Sequence, residues 1–250
     1  AACSTYHALI AAVMQRPDVA AAWAFGQVAN GGRRALVAAT GEHFAGLVTW
    51  RALDEWAPQA ERCELSVLRP AGEWVERLNA FRPAFLAGYP TALRLLAHEQ
   101  HARRLAIAPS IVWSGGEHLT AAARREIEQA FGALVIDEYG SSECLSIAVG
   151  CGHGWLHLNA DWVVLEAVDA RHRWVPPGTL SHTSLLTNIA NRVQPVIRYD
   201  VGDRIVYRDG ACECGNPLPA LRVEGRCDDV VTLRRRDGAL VQVLPMALTT

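Results

Sequence analysis

Short apolar runs alternate with amphipathic stretches along the first 140 residues, and this alternation constrains the fold more than any other feature of the sequence. Apolar runs of this length suit buried strands, and the stretches between them have helical periodicity. Proline at position 90 and glycine at position 132 mark a helix start and a helix end. The alternation predicts a mainly parallel sheet with helices on its faces. The predicted helices span residues 6–15, 44–56, 73–80, 90–103 and 120–132, and the predicted strands span 35–39, 65–68, 84–87, 110–113 and 133–136.

The helical period disappears beyond residue 145, where short β-rich runs are separated by turn residues. This change predicts an antiparallel second half. The expected fold class is therefore α/β, with mixed, largely parallel sheets carrying helices on their faces, followed by a β-rich subdomain. The predicted parts are an α/β part over residues 1–145, a β-rich part over 146–227 and a further segment over 228–250. The predicted runs are 155–158, 162–167, 179–187, 204–207, 229–233 and 240–244.

Composition excludes several classes of protein. With 250 residues, 50% of them hydrophobic, the chain is long enough to bury a core. The formal net charge of -2 argues against a nucleic-acid-binding protein, and no apolar run approaches the roughly 20 residues that span a bilayer. All 24 basic residues are arginine. Chemistry that needs a lysine, such as a Schiff base or a phosphate-loop lysine, therefore has no residue to perform it in this sequence.

Four polar, glycine-containing segments lie beside predicted strands: residues 114–117 (SGGE), 136–143 (IDEYGSSE), 197–204 (IRYDVGDR) and 225–229 (GRCDD). Ligands of open α/β sheets bind at the carboxyl ends of the strands. Glycine allows close approach of the backbone, a serine hydroxyl can bind a phosphate oxygen, and a glutamate can hold Mg²⁺. Each segment taken alone is more typical of a structural turn than of a ligand site.

The order and spacing of these segments, together with residues 86–90 (LAGYP), resemble the adenylate-forming superfamily, specifically its phenylacetate-coenzyme A ligase-like branch. The resemblance covers nearly the whole chain. It implies a ligase that joins an aryl or arylacetic carboxylate to the α-phosphate of ATP and then passes the acyl group to the thiol of coenzyme A. The implied ligands are ATP or AMP, Mg²⁺ and coenzyme A, and a homodimer is left open.

The resemblance also implies roles for individual residues. Ser142 would contact the α-phosphate and Glu143 would hold Mg²⁺ during catalysis. Tyr139 would lie against the adenine, while Asp203, helped by Arg226, would bind the ribose hydroxyls. The full implied nucleotide-binding set is Gly115, Gly116, Glu117, Tyr139, Gly140, Asp203 and Arg226.

Two further segments acquire roles from the same resemblance. His43 and Phe44 would border the acyl pocket, although a core role is equally open for His43. Asp228 would be the hinge about which a small C-terminal lobe, begun by residues 228–250, swings between two poses.

The sequence departs from the family pattern at both ends. It contains no Ser/Thr/Gly-rich phosphate loop upstream and no C-terminal catalytic lysine. We therefore expect an internal part of a longer enzyme that is inactive or poorly active alone. Two other functions stay open: an adenylyltransferase without transfer to coenzyme A, and a non-catalytic, zinc-stabilised nucleotide-binding module.

Two pairs of soft metal ligands lie about sixty residues apart, each on a glycine-containing turn. Three thiolates and one imidazole form a donor set typical of structural zinc. His157 and Cys144 are alternative fourth ligands, and the alternatives to a metal are free buried thiols and, last, a disulfide. Seven cysteines in a sequence without an N-terminal signal segment favour a location in the reducing cytoplasm. The predicted ligands are Cys151, His153, Cys212 and Cys214.

Overall fold

The computed structural model describes residues 2–40, 45–52, 59–227, 231–235 and 240–243. The chain forms two compact units, residues 1–159 and 160–250. His43, Phe44 and Asp228 lie outside the described residues, so their assigned roles stay predictions. The predicted limits of the three parts, after residues 145 and 227, also stay predictions.

The first unit alternates helices and strands. Its parallel strands lie in the order β5-β4-β3-β1-β2, and β6 and β7 continue the sheet beside β5 as an antiparallel hairpin. The predicted, largely parallel sheet with helices on its faces is confirmed. The helices are α1 (Ala2–Met14), α2 (Pro17–Asn30), α3 (Ala45–Ala52), α4 (Ala71–Phe81), α5 (Pro90–His101) and α6 (Ala121–Phe131). The strands are β1 (Arg34–Ala38), β2 (Arg62–Ser66), β3 (Phe85–Gly88), β4 (Ile111–Gly115), β5 (Leu134–Tyr139), β6 (Ala148–Gly150) and β7 (Leu156–Leu158).

The central strand β1 shows how both faces of this sheet are covered. Ala35 and Val37 pack in the core formed with α4, α5 and α6. Leu36 and Ala38 pack on the opposite face against α3. Successive side chains of a strand point to opposite faces, so a strand covered on both sides is buried along its length. All five residues of β1 are buried accordingly.

Local signals fix the ends of several helices. Pro17 and Pro90 occupy the first turns of α2 and α5, where a missing N–H costs no helical hydrogen bond. The Ala123 amide donates to Oγ1 of Thr120 at 3.1 Å, which caps α6. Gly132 ends α6 in the left-handed conformation, with φ of 60°.

The second unit is rich in β-strands, as the sequence predicts. Its described strands form an antiparallel sheet in the order β10-β9-β8 and two pairs, β11 with β12 and β13 with β14. The Tyr207 hydroxyl donates to the carbonyl of Leu165 at 2.6 Å and ties β11 to β8. The strands are β8 (Val163–Val168), β9 (Thr183–Asn188), β10 (Val196–Asp200), β11 (Asp203–Tyr207), β12 (Ala220–Arg226), β13 (Val231–Arg234) and β14 (Leu240–Val243).

Four elements are absent from the sequence prediction: α2, β6, β10 and β12. Helix α2 is rich in alanine and has no clear polar face, so its period is hard to detect. Strand β6 has only three residues, and most of β10 is exposed, so neither presents a pattern of alternating burial. Among the helices of the described part of the chain, none combines the length and the apolar composition that crossing a membrane requires.

Candidate active site

A cavity of about 750 Å³ extends along the face of the first unit's sheet that carries α1, α2 and α3. It reaches the carboxyl ends of β1, β3, β4 and β5, which is where ligands of parallel sheets bind. Most of its lining is apolar, as is usual for small-molecule sites. Its aromatic lining residues are Tyr6, Trp23, Trp50, Phe85, Tyr89 and Trp113.

Two loops form the polar end of this cavity. One follows β4 and the other follows β5. Tyr139 and Glu143 belong to the same chain segments but are not among the lining residues. Five of the predicted nucleotide-binding and catalytic residues therefore line one cavity: Gly115, Gly116, Glu117, Gly140 and Ser142.

Two of these glycines are required by close packing. Gly116 has φ of +80°, and a Cβ there would lie 2.9 Å from the ring of Tyr89. A Cβ at Gly140 would collide with the carbonyl oxygen of Leu145. Since a side chain fits at neither position, the backbone itself forms these parts of the cavity wall.

The loop after β5 closes into a tight turn between Ser141 and Cys144. The Ser141 amide donates to the Cys144 carbonyl at 2.8 Å, and the Cys144 amide donates back to the Ser141 carbonyl at 3.2 Å. Ser142, at the tip, is exposed, and Glu143 is half-buried. Burial raises the pKa of the Cys144 thiol to about 11, which keeps it neutral at physiological pH. The turn therefore offers the Ser142 hydroxyl, rather than a thiolate, to a ligand.

Glu117 joins the loop after β4 to helix α5. The amide and the hydroxyl of Thr91 donate to its carboxylate at 3.1 and 3.0 Å. A carboxylate at the first turn of a helix also interacts favourably with the helix dipole. Glu117 therefore holds its loop in place while lining the cavity.

Glu138 brings a second carboxylate to the apolar wall of the cavity. The indole Nε1 of Trp113 donates to its Oε2 at 2.7 Å. Its other oxygen, Oε1, is buried, and no described residue donates to it in hydrogen-bonding geometry. Burial raises the pKa of Glu138 to about 7; Ser146 and Trp113 favour the charged form and partly oppose this shift.

Glu138 has no role among the residues predicted from the sequence, although a carboxylate within a buried strand is a detectable signal. Arg34, which is 1% exposed and lines the same cavity, is also missing from the predicted residues. The guanidinium of Arg34 lies 5.6 Å from the centre of the Trp50 ring.

Asp203 and Arg226 lie together in the second unit, facing each other across β11 and β12. Nη1 of Arg226 donates to Oδ1 of Asp203 at 3.3 Å and to the Val201 carbonyl at 3.2 Å. Asp203 is only 9% exposed. The structure thus pairs the two residues that the family resemblance assigns jointly to ribose, and their action on ribose stays a prediction.

The candidate metal ligands form one pair within each unit. The hairpin β6–β7 places Cys151 and His157 on one face, with their ligand atoms within 4.8 Å of each other. The Sγ atoms of Cys212 and Cys214 also lie within 4.8 Å of each other. His153 is exposed at the hairpin tip, whereas His157 is 4% exposed. This geometry favours His157 over the predicted His153 as the partner of Cys151.

Comparison with known proteins identifies the family. The family model described as AMP-binding enzyme matches residues 26–176. The chain belongs to the AMP-binding enzyme family. This confirms the resemblance to adenylate-forming enzymes that the sequence motifs indicate.

Two curated relatives match this AMP-binding family member over part of their length. Protein CapK of Staphylococcus aureus is 26% identical over 174 residues, which is 65% of this chain and 36% of CapK. Phenylacetate-coenzyme A ligase of Thermus thermophilus is 26% identical over 189 residues, which is 70% of this chain and 42% of the ligase. The matched regions thus span less than half the length of each relative.

Solved structures of two ligases confirm the fold. A 2-hydroxyisobutyryl-CoA ligase in the postadenylation state with 2-HIB-AMP has a TM-score of 0.72 and 23% identity, covering 92% of this chain and 50% of that chain. A benzoate CoA ligase from Burkholderia xenovorans LB400 has a TM-score of 0.60 and 18% identity, covering 84% of this chain and 50% of that chain. These ligases and the present chain share the mixed α/β architecture.

Proposed function

We propose that this chain carries the nucleotide and acyl sites of an adenylate-forming acyl-CoA ligase. In the proposed reaction, a carboxylate oxygen attacks the α-phosphorus of ATP and pyrophosphate leaves. The thiol of coenzyme A then attacks the acyl carbon, and AMP leaves. The observation that carries this proposal is the lining of the cavity. Glycines and serines form its end at the strand termini, and aromatic side chains line the rest of it.

The polar end suits the phosphate and purine of an adenylate. Gly116 and Gly140 line this end with backbone alone, and Ser142 offers a hydroxyl to a phosphate oxygen. Glu143 would supply the hard oxygen donor that Mg²⁺ prefers, and bound Mg²⁺ would neutralise charge on the phosphoryl oxygens. Because these groups are fixed by the turn between Ser141 and Cys144, they need little reorganisation during the reaction.

The aromatic side chains that line the rest of the cavity support an aryl or arylacetic acid as the substrate class. Trp23 stacks on Phe85 with ring centres 4.2 Å apart, and both line the cavity. Trp113 and Trp50 present further ring surface there. Flat rings bury large apolar areas against such walls.

We also propose that a structural Zn²⁺ is bound by Cys151, His157, Cys212 and Cys214. The close Cys151–His157 pair in one unit and the close Cys212–Cys214 pair in the other support this set. Zinc prefers tetrahedral sulfur and nitrogen ligands, and such sites stabilise the fold. Reduced thiols of this kind suit a cytoplasmic location, which is part of the proposal.

Calorimetric titration of the 250-residue chain tests the adenylate site. The ligands are 5′-O-[N-(phenylacetyl)sulfamoyl]adenosine, a non-hydrolysable acyl-adenylate mimic, together with AMP and GMP. We expect saturable binding that favours adenine, with the mimic tighter than AMP because it fills both ends of the cavity. Equal binding of AMP and GMP, or no binding at millimolar mimic, would contradict the proposal.

The adenylyltransferase alternative differs in its products. It would form the acyl-adenylate but would not consume coenzyme A. Product analysis by mass spectrometry, with the acid, ATP and coenzyme A present, separates the two: a thioester requires a ligase, whereas AMP attached to another acceptor indicates the alternative.

A further inference from the structure

The turn that joins β10 to β11 carries the backbone directly into Asp203. It consists of Val201 and Gly202, and Gly202 has φ of +79°, a conformation that favours glycine. A Cβ at Gly202 would lie 2.8 Å from Nη2 of Arg226, so the guanidinium lies close against the turn. Arg226 also donates to the Val201 carbonyl at 3.2 Å, and the Cys227 amide donates to the Gly202 carbonyl at 2.7 Å. Contacts from the end of β12 therefore fix one side of the turn.

Asp200 fixes the other side of the same turn. Its Oδ1 accepts a hydrogen bond from the Gly202 amide at 3.0 Å and a second one from the hydroxyl of Thr183. An aspartate that accepts from the amide two residues further on closes an Asx turn. Thr183 lies on β9 and is 1% exposed, so its hydroxyl is held in place by the sheet. One carboxylate oxygen of Asp200 thus ties the turn to the buried residue on β9.

The charge of Asp200 is less important to the turn than its hydrogen bonds. Its side chain is about half exposed, and Oδ2 lies 4.0 Å from Nε2 of His172, which is also exposed. Ion pairs in water contribute little, because water screens the two charges. The contribution of Asp200 to the turn therefore depends mainly on the two hydrogen bonds that Oδ1 accepts.

Ribose recognition makes a geometric demand on Asp203. A carboxylate that accepts hydrogen bonds from two neighbouring hydroxyls must present both acceptors in the right direction, and a misplacement of about 1 Å weakens such contacts strongly. Gly202 directly precedes Asp203 in the chain, so a rotation of the Gly202 backbone would carry the Asp203 carboxylate with it. The hydrogen bond from the Gly202 amide to Asp200 resists that rotation.

We propose that Asp200 is a positioning residue for ribose recognition. By holding the Gly202 amide, it orients Asp203 so that one carboxylate accepts from both ribose hydroxyls. The inference rests on the proposed function, with Asp203 as the ribose ligand, and it names a residue on which discrimination against deoxyribose depends.

Nucleotides that each lack one ribose hydroxyl test the proposal on the 250-residue chain. Calorimetric titration compares AMP with 2′-deoxy-AMP and 3′-deoxy-AMP, and GMP is the control for adenine recognition. A site built to bind a hydroxyl rejects an analogue that lacks it, because the acceptor is then left unpaired. We expect the parent protein to bind AMP at least about tenfold tighter than either deoxy analogue, since each analogue loses one charge-assisted hydrogen bond.

Three variants assign this preference to the hydrogen bonds at Asp200. In Asp200→Ala both donors lose their acceptor, so we expect the preference to fall to about threefold or less. Asp200→Asn keeps Oδ1 as an acceptor without the charge, so its preference should stay within about twofold of the parent value. Asp209→Ala removes another exposed carboxylate of the same unit and should leave the preference intact.

Melting temperatures check that each variant is folded. If Asp200→Ala does not fold, Thr183→Val serves in its place, because it keeps the volume and removes one of the two donors to Oδ1. We expect that variant to lower the preference to about half of the parent value or less.

A merely structural role for Asp200 gives a different result. Asp200→Ala would then weaken the binding of AMP and of both deoxy analogues by the same factor, and the unchanged preference would overturn the inference while the ribose assignment of Asp203 stands. Loss of the preference in Asp200→Asn as well would also overturn it, since the charge would then be the cause.

Failure of the proposed function is distinguishable from failure of this inference. If the parent protein binds AMP and both deoxy analogues equally but prefers AMP to GMP, the ribose assignment and the inference fail together, while the adenine site stands. If no nucleotide binds at all, the proposed function fails and the inference fails with it.

Discussion

Trp113 and Glu138 are joined across two neighbouring strands, with the indole nitrogen donating to the carboxylate at 2.7 Å. The bond fixes one carboxylate oxygen at the level of Gly115, where β4 runs into its loop. The ionised group is held in an apolar wall, so its charge is poorly solvated. The stability of the protein should therefore depend on this side chain.

Glu138 should make stability depend on pH. Burial raises its folded-state pKa to about 7 from an ordinary value of 4.5, so between these pH values the folded protein binds a proton that the unfolded chain has lost. Stability contributed by this group is therefore full at low pH and is lost as pH rises through that window.

The variant Glu138→Gln tests this dependence, because its side chain does not titrate. The unfolding free energy of the variant minus that of the parent should rise between pH 4.5 and 7, by at most about 3 kcal/mol, and then level off. Urea unfolding at several pH values measures it, and a difference that does not vary with pH would refute the assignment.

Gly140→Ala should disrupt the loop after β5. The new Cβ would collide with the Leu145 carbonyl, and backbone cannot move aside as a flexible side chain can. We expect a loss of about 2 kcal/mol or more in stability, together with weaker binding of the acyl-adenylate mimic. Gly72→Ala is the matched control, because a Cβ at Gly72, in the first turn of α4, meets no atom of the described residues within 4 Å. That variant should be neutral or slightly stabilised. Similar urea midpoints for both variants would contradict the steric argument.

Zinc should be present at one equivalent per chain after purification without chelators, as measured by elemental analysis. Cys212→Ser and His157→Ala should each release the metal and lower the melting temperature, because metal binding is coupled to folding. His153→Ala alters an exposed hairpin tip and should retain the metal. Metal-free parent protein would support free thiols instead, and loss of zinc from His153→Ala alone would restore His153 as the ligand.

Asp203→Ala should weaken AMP binding by about 2 to 3 kcal/mol, the scale for losing charge-assisted hydrogen bonds. The change also removes the partner of Arg226, so a fold check by circular dichroism is needed. Asp209→Ala serves as a control on a carboxylate at an exposed turn of the same unit. Unchanged affinity in a folded Asp203→Ala protein would exclude Asp203 from the ribose site.

Local signals made much of the fold predictable. Thr120 and Gly132 bracket α6, and Pro90 begins α5, because capping and proline geometry act within one helical turn. Helix α2 was not predicted, because it has no clear polar face of its own. Its contacts with the rest of the fold determine which side is buried. The family motifs likewise located Gly116 and Ser142 at the cavity, because each motif is contiguous in the chain.

The sequence by itself determined the fold class, the strand-end loops and the family, since periodicity and short motifs are properties of neighbouring residues. Only the tertiary structure decided that Glu138 lies beside Trp113, in a wall where no described residue donates to its other oxygen in hydrogen-bonding geometry. It likewise decided that His157, and not His153, shares a face with Cys151. Strand register sets such proximities, and register depends on pairing between segments that are distant in sequence.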